Sequence, residues 1–92
     1  MMIKGKTESG FAFQIDEEAR DDMELLDAIV KLDAGEKQYM SEVVERLLGS
    51  EQRDKLYDYC RGKSGRVLAS KVFTEITAIF DAIKNSDDDL KN

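Results

Sequence analysis

The chain has no histidine, no proline and no tryptophan, and its only cysteine is Cys60. Each absence closes something off. Without histidine, the commonest general base near neutral pH and the commonest metal ligand are both missing. A single cysteine excludes an intramolecular disulfide and a cysteine-rich zinc site. Without proline, nothing in the backbone forbids long helices. No apolar run approaches the roughly 20 residues that span a bilayer. The opening MMIKGKTESG lacks the apolar centre of a signal peptide. The expectation is a soluble, cytoplasmic chain with no membrane partner, no cofactor and no metal.

What is present is charge. Acidic residues number 20 against 14 basic ones, a formal net charge of −6, and charged residues make up 37% of the 92. An acidic excess opposes non-specific binding to nucleic acid or anionic membranes. Apolar residues at 41% are too many for a disordered chain. The length suits one domain over 1–92, since two separate cores would each be too small. The charge is unevenly spread. Residues 1–50 hold 12 acidic and 6 basic side chains, residues 51–72 hold 3 and 6, and residues 73–92 hold 5 and 2.

Along the chain, Phe11, Phe13 and Ile15 alternate with Ala12 and Gln14, the period of a strand with one buried face. With ESG as the turn, this predicts a β-hairpin within residues 1–15, pairing 2–7 with 10–15. Its edge offers a route to homo-oligomers by strand addition. Asp16 then reads as a helix N-cap, followed by Ala19, Met23, Leu26, Ile29 and Val30 as an inner face widened by Leu25 and Leu32. That helix ends with Gly35 in the position after the cap. Met40, Val43, Val44, Leu47 and Leu48 mark a second helix that Gly49 closes. Ser50 opens a third, with Leu56, Tyr57 and Cys60 inside. GKSGRV is a turn. Val72, Phe73, Ile76, Ile79, Phe80 and Ile83 mark a fourth helix over roughly 69–84. The predicted fold is mainly α, in the α+β class: a short N-terminal hairpin, a small bundle of about four helices over 16–85, and a disordered acidic tail over 86–92.

Signs of chemistry are thin. GKT at 5–7 resembles the end of a phosphate-binding loop, but the glycine that must precede it would fall before residue 1. The carboxylates Asp16, Glu17, Glu18, Asp21, Asp22 and Glu24 lack the order of a calcium loop and suit the positive end of a helix dipole. Cys60, at the spacing of Leu56 and Tyr57, reads as a small buried hydrophobe. Arg53, Lys55, Arg61, Lys63, Arg66 and Lys71 make a basic segment. The helix bearing the first of them also carries Glu51, Asp54 and Asp58, which oppose a DNA phosphate backbone. No catalytic residue is assigned, and the chain is expected not to be an enzyme.

The order of features resembles a family of small tail assembly chaperones from siphophages and prophages of Gram-positive bacteria. SGFAFQID, LLGSEQRDKLYD and GRV carry the resemblance, which covers nearly the whole chain. It implies a non-enzymatic role in tail morphogenesis, with the tape measure protein as the partner that is bound and kept soluble. The surface expected to bind it is Met40, Val43, Val44 and Leu47 with Val72, Ile76 and Phe80, residues that equally suit the chain's own core. Two alternatives stay open: an acidic decoy of a host DNA-binding protein, and a small DNA-binding regulator.

Overall fold

The computed structural model describes the backbone of residues 2–90 and the side chains of residues 2–84. Strands β1 (Met2–Lys6) and β2 (Ala12–Asp16) pair antiparallel, with Ile3 opposite Ile15 and Gly5 opposite Phe13. The alternation behaves as the sequence requires. Phe11, Phe13 and Ile15 turn inward, while Ala12 and Gln14 face out. A bare hairpin is marginal in water. This one is held by laying that face on the helices, where one core joins Phe13 and Ile15 to Leu25, Val43, Leu56 and Ile79.

The first helix starts later than the sequence suggests, because two aspartates cap in succession. Asp16 accepts a hydrogen bond from the Glu18 amide (2.9 Å) and opens only a 3-10 helix, Glu17–Asp21. Asp22, in extended conformation, accepts from the Leu25 amide (3.1 Å) and opens α1 (Met23–Asp33). At the other end, the Gly35 amide donates to the Leu32 carbonyl and the Glu36 amide to the Lys31 carbonyl. This pair of bonds needs the left-handed φ of 97° that Gly35 adopts.

A second correction concerns the helix count. The sequence suggests about four helices, and the described residues form three α-helices. The expected second and third are one element, α2 (Met40–Tyr59), bent where Gly49 leaves helical space at φ 81°, ψ 166°. No loop separates its halves. Ser50 does not cap the second half through its side chain as expected. Its hydroxyl donates to Glu45 Oε1 (2.7 Å), and Arg53 pairs with the other oxygen of that carboxylate, tying the two halves together. The turn after α2 closes where Arg61 bridges Val67, and α3 (Ala69–Leu90) follows. With no glycine or proline beyond Gly65, α3 continues through 86–90, where the sequence suggests a disordered tail. Residues 91 and 92 of that tail lie outside the described residues. Among the described residues, no helix is long and apolar enough to cross a membrane.

Gln52 joins the bend in α2 to the sheet. Its Oε1 accepts from the Gln14 amide (2.8 Å), and its Nε2 donates to the Gln14 carbonyl (2.6 Å) and to the Leu48 carbonyl (2.8 Å). The side chain thus takes the place a neighbouring strand would occupy at the middle of β2, and it satisfies a carbonyl left over at the bend. This opposes strand addition on that edge. Gln52→Ala removes all three bonds and should cost about 1–3 kcal/mol. A urea melt reads the loss, and size-exclusion chromatography reads any new self-association through the freed edge.

Candidate interaction surface

The inner face of α1 is Leu25, Ala28 and Leu32, all buried. The residues the sequence offers as that face, Met23, Leu26 and Val30, instead point outward, at 65%, 44% and 67% exposure. At 100° per residue these three share one side of the helix. Ile29 lies between them and the core, half-buried. The helix is therefore apolar over an arc wider than its own fold needs. Arg46 of α2 lies over the start of this helix. Its guanidinium reaches Glu24 (2.9 Å), Asp22 (3.7 Å) and Glu42 (3.9 Å), fixing the start of α1 against α2.

Beside the exposed stripe runs a groove of about 200 Å³ between α1 and α3. Leu26 and Ile29 line one wall, Phe80 and Ile83 the other, and Leu47 lies in it. Arg20, the one charged lining side chain, is paired with Glu17 at 3.2 Å. The chain around the groove is mixed in sign, with Lys84 exposed one turn beyond Phe80 on α3. Residues 16–36 hold nine carboxylates and two cations. Asp27 and Asp33 on α1 and Asp81 on α3 are all exposed.

The seven residues the sequence proposes for partner binding separate into two groups. Val43, Val44, Leu47, Val72 and Ile76 are buried at 4% exposure or less. They form the chain's own core, because each lies on the side of its helix that meets the hairpin and the other helices. Met40 and Phe80 are half-buried at the core's margin. Of the two, Phe80 lies in the groove. The stripe on α1 was visible in the sequence as apolar spacing. What the sequence did not reveal was that a second set, three residues wide, would win the inward position. Phe73, also read as an inner residue, is 46% exposed on α3.

Three of the six cations in the basic segment are tied down. Arg53 pairs with Glu45 and Asp54, which raise its pKa, the Asp54 hydrogen bond most of all. Lys55 pairs with Glu51 at 3.7 Å. Arg61 pairs with Asp58 (3.0 Å) and donates to the Gly65 carbonyl (2.6 Å), bracing the turn. These cations spend their charge on their own neighbours, which weakens any field they project at phosphates.

One polar cluster is built on two buried side chains, Thr7 and Glu75. Glu75 of α3 accepts from Thr7 Oγ1 and from Ser9 Oγ, each at 2.7 Å, and Tyr59 donates to the Ser9 carbonyl at 2.6 Å. Thr7 Oγ1 in turn accepts from the Phe11 amide (3.1 Å). The cluster clamps the hairpin turn to α2 and α3. It borders a pocket of about 410 Å³ that Cys60 and Lys71 also line. Burial, and to a lesser degree the Glu75 carboxylate, push the Cys60 thiol up. A thiol whose pKa is raised stays protonated at neutral pH and reacts slowly. Ellman's reagent should therefore leave Cys60 unmodified in the native protein and titrate it fully in denaturant. Among the described residues, no group of three histidine, cysteine, aspartate or glutamate side chains is placed to hold a metal ion. No protein-family model, curated protein or solved structure matches the chain.

Proposed function

We propose that this protein is a non-enzymatic phage tail assembly chaperone that binds the tape measure protein in the host cytoplasm and keeps it soluble until the tail tube closes around it. The observation that carries this reading is the exposed apolar stripe Met23, Leu26 and Val30 on an otherwise acidic helix. The resemblance in SGFAFQID, LLGSEQRDKLYD and GRV points the same way.

The physics of the role is simple. A long helical protein with apolar stripes aggregates while those stripes face water. A small partner covers a stripe with its own apolar side chains and turns a charged exterior to solvent, and several copies cover a long chain. Surplus negative charge keeps the coated assembly apart by repulsion. The stripe and groove supply the apolar contact, and the net charge of −6 supplies the soluble exterior.

Co-expression with the tape measure protein encoded nearby tests the reading. The tape measure protein should move from the pellet to the soluble fraction and co-purify with several copies of this chain. A tape measure protein that aggregates regardless, with no association, removes the proposal.

A further inference from the structure

We infer that the outer edge of β1 takes an extended, acidic segment of a partner protein as a third strand. The inference goes beyond the chaperone reading and does not rest on it.

The two edges of the hairpin are finished differently. On the β2 side, Gln52 fills the place of a neighbouring strand at Gln14. In an antiparallel pair, residues directly opposite either exchange both hydrogen bonds or turn both away from each other. The Gln14 amide and carbonyl turn away, to Gln52, and Lys4 stands opposite Gln14. The Lys4 amide and carbonyl therefore point out of the sheet on the β1 side. Lys6, two residues on and opposite Ala12, repeats the arrangement. Among the described residues, no hydrogen bond reaches those backbone groups. Helix α3 packs against β1, yet both lysines stay exposed. A free donor and acceptor at every second residue are what an added strand pairs with.

The side chains select the occupant. Lys4 and Lys6 share the outward face of the sheet, and neither is ion-paired among the described residues. The other charges around them do not balance them. Asp16 shares that face on the far strand, opposite Met2, and accepts from the Glu18 amide. Glu8 lies in the turn beyond Lys6. Glu51 and Lys55 border a cleft beside Lys4 and pair with each other at 3.7 Å. The described side chains of α3 bring Lys71, Glu75, Asp81 and Lys84, two of each sign, and Glu75 is held by Thr7 and Ser9.

A second copy that pairs β1 with β1 antiparallel in one continuous sheet sets lysine against lysine: Lys4 with Lys4, Lys4 with Lys6 or Lys6 with Lys6, according to register. Like charges directly opposite each other are destabilising. An uncharged strand satisfies the backbone and leaves both lysines with nothing opposite. A strand with Asp or Glu at alternate positions satisfies the backbone and places a carboxylate opposite each lysine.

Two peptides of about eight residues, a usual strand length, provide the test. Valine alternates with glutamate in one and with lysine in the other. Fluorescence anisotropy against the full chain should show the glutamate peptide binding at least about fivefold tighter, the sum of two cross-strand charge pairs. The gap should narrow as salt rises. Lys4→Glu with Lys6→Glu should reverse the preference and leave far-UV circular dichroism unchanged, since both side chains are exposed. Methylating the backbone nitrogens on the bonding edge of the glutamate peptide should abolish binding, and the unmethylated peptide should slow deuterium exchange at the Lys4 amide.

Equal binding of the two peptides overturns the acidic occupant. Binding that ignores methylation, or that leaves Lys4 exchange unchanged, overturns the strand edge, and no binding of either peptide overturns the whole. A dimer that protects the Lys4 amide without any peptide gives the edge to a second copy and also overturns it. Association with the tape measure protein is read separately, by co-purification, and fails or holds whatever these peptides do.

Discussion

Replacing Met23, Leu26 and Val30 together by glutamine should send the co-expressed tape measure protein back to the pellet while leaving this protein folded. The size of the effect follows from area. Each side chain is already partly covered by its neighbours, so docking gains roughly 1 kcal/mol per residue, or roughly 3 kcal/mol for the three. That is about a hundredfold in affinity. Stability should change little. The three are 65%, 44% and 67% exposed, and glutamine is as good a helix former as methionine or leucine. The midpoint of a thermal melt and the soluble fraction of the tape measure protein, measured on the same preparations, separate the two effects. A variant that loses both together would place these residues in the fold and not on a docking surface.

The second large effect is on the fold itself. Leu56 is fully buried, at 0% exposure, in the half of α2 that follows the bend. Leu56→Ala removes three carbons from a close-packed site and leaves a cavity, at about 3–5 kcal/mol. A chain of this length has on the order of 5–14 kcal/mol in all. The variant therefore loses a large fraction of the total, and its urea midpoint should fall by at least roughly 1.5 M at an m-value near 1–2 kcal/mol/M. A loss under about 1 kcal/mol would mean that the two halves of α2 are far less tightly coupled to the hairpin than this packing implies.

Much of this fold was legible from local pattern. The alternation in FAFQI fixes which face of β2 is buried, because the side-chain period of a strand leaves only two choices. Gly35 and Gly49 mark the places where the backbone must turn left-handed. The apolar spacing of α2 and α3 names most of their inner faces, from Val43 to Leu56 and from Val72 to Ile83, with Phe73 the exception. The start of α1 was not legible, because Asp16 and Asp22 are equally good caps and only the geometry of the chain decides between them. Nor was the orientation of α1. Leu25, Ala28 and Leu32 compete with Met23, Leu26 and Val30 at nearly the same helical spacing, and only the packing of the whole core decides between them.

The bonds that matter most for tying parts together are the least legible of all. Gln52 meets Gln14 across 38 residues, and Glu75 meets Thr7 across 68. Neither has a periodic signature, because a polar side chain that binds a distant backbone or hydroxyl group looks in sequence like any solvated residue. Five of the seven residues offered for a partner are buried for a related reason. The strongest apolar spacing belongs to the residues the fold consumes for itself, and what remains for a partner is the weaker set left outside.

A photo-crosslinking amino acid placed at Leu26 tests most directly the proposal that the tape measure protein lies against the outer face of α1, in cells that co-express both proteins, with a second crosslinker at Glu51 as the comparison site. A crosslinked product of this chain and the tape measure protein is expected from position 26, and little or none from position 51. Crosslinking from position 51 alone, or from neither site while the two proteins still co-purify, would contradict it.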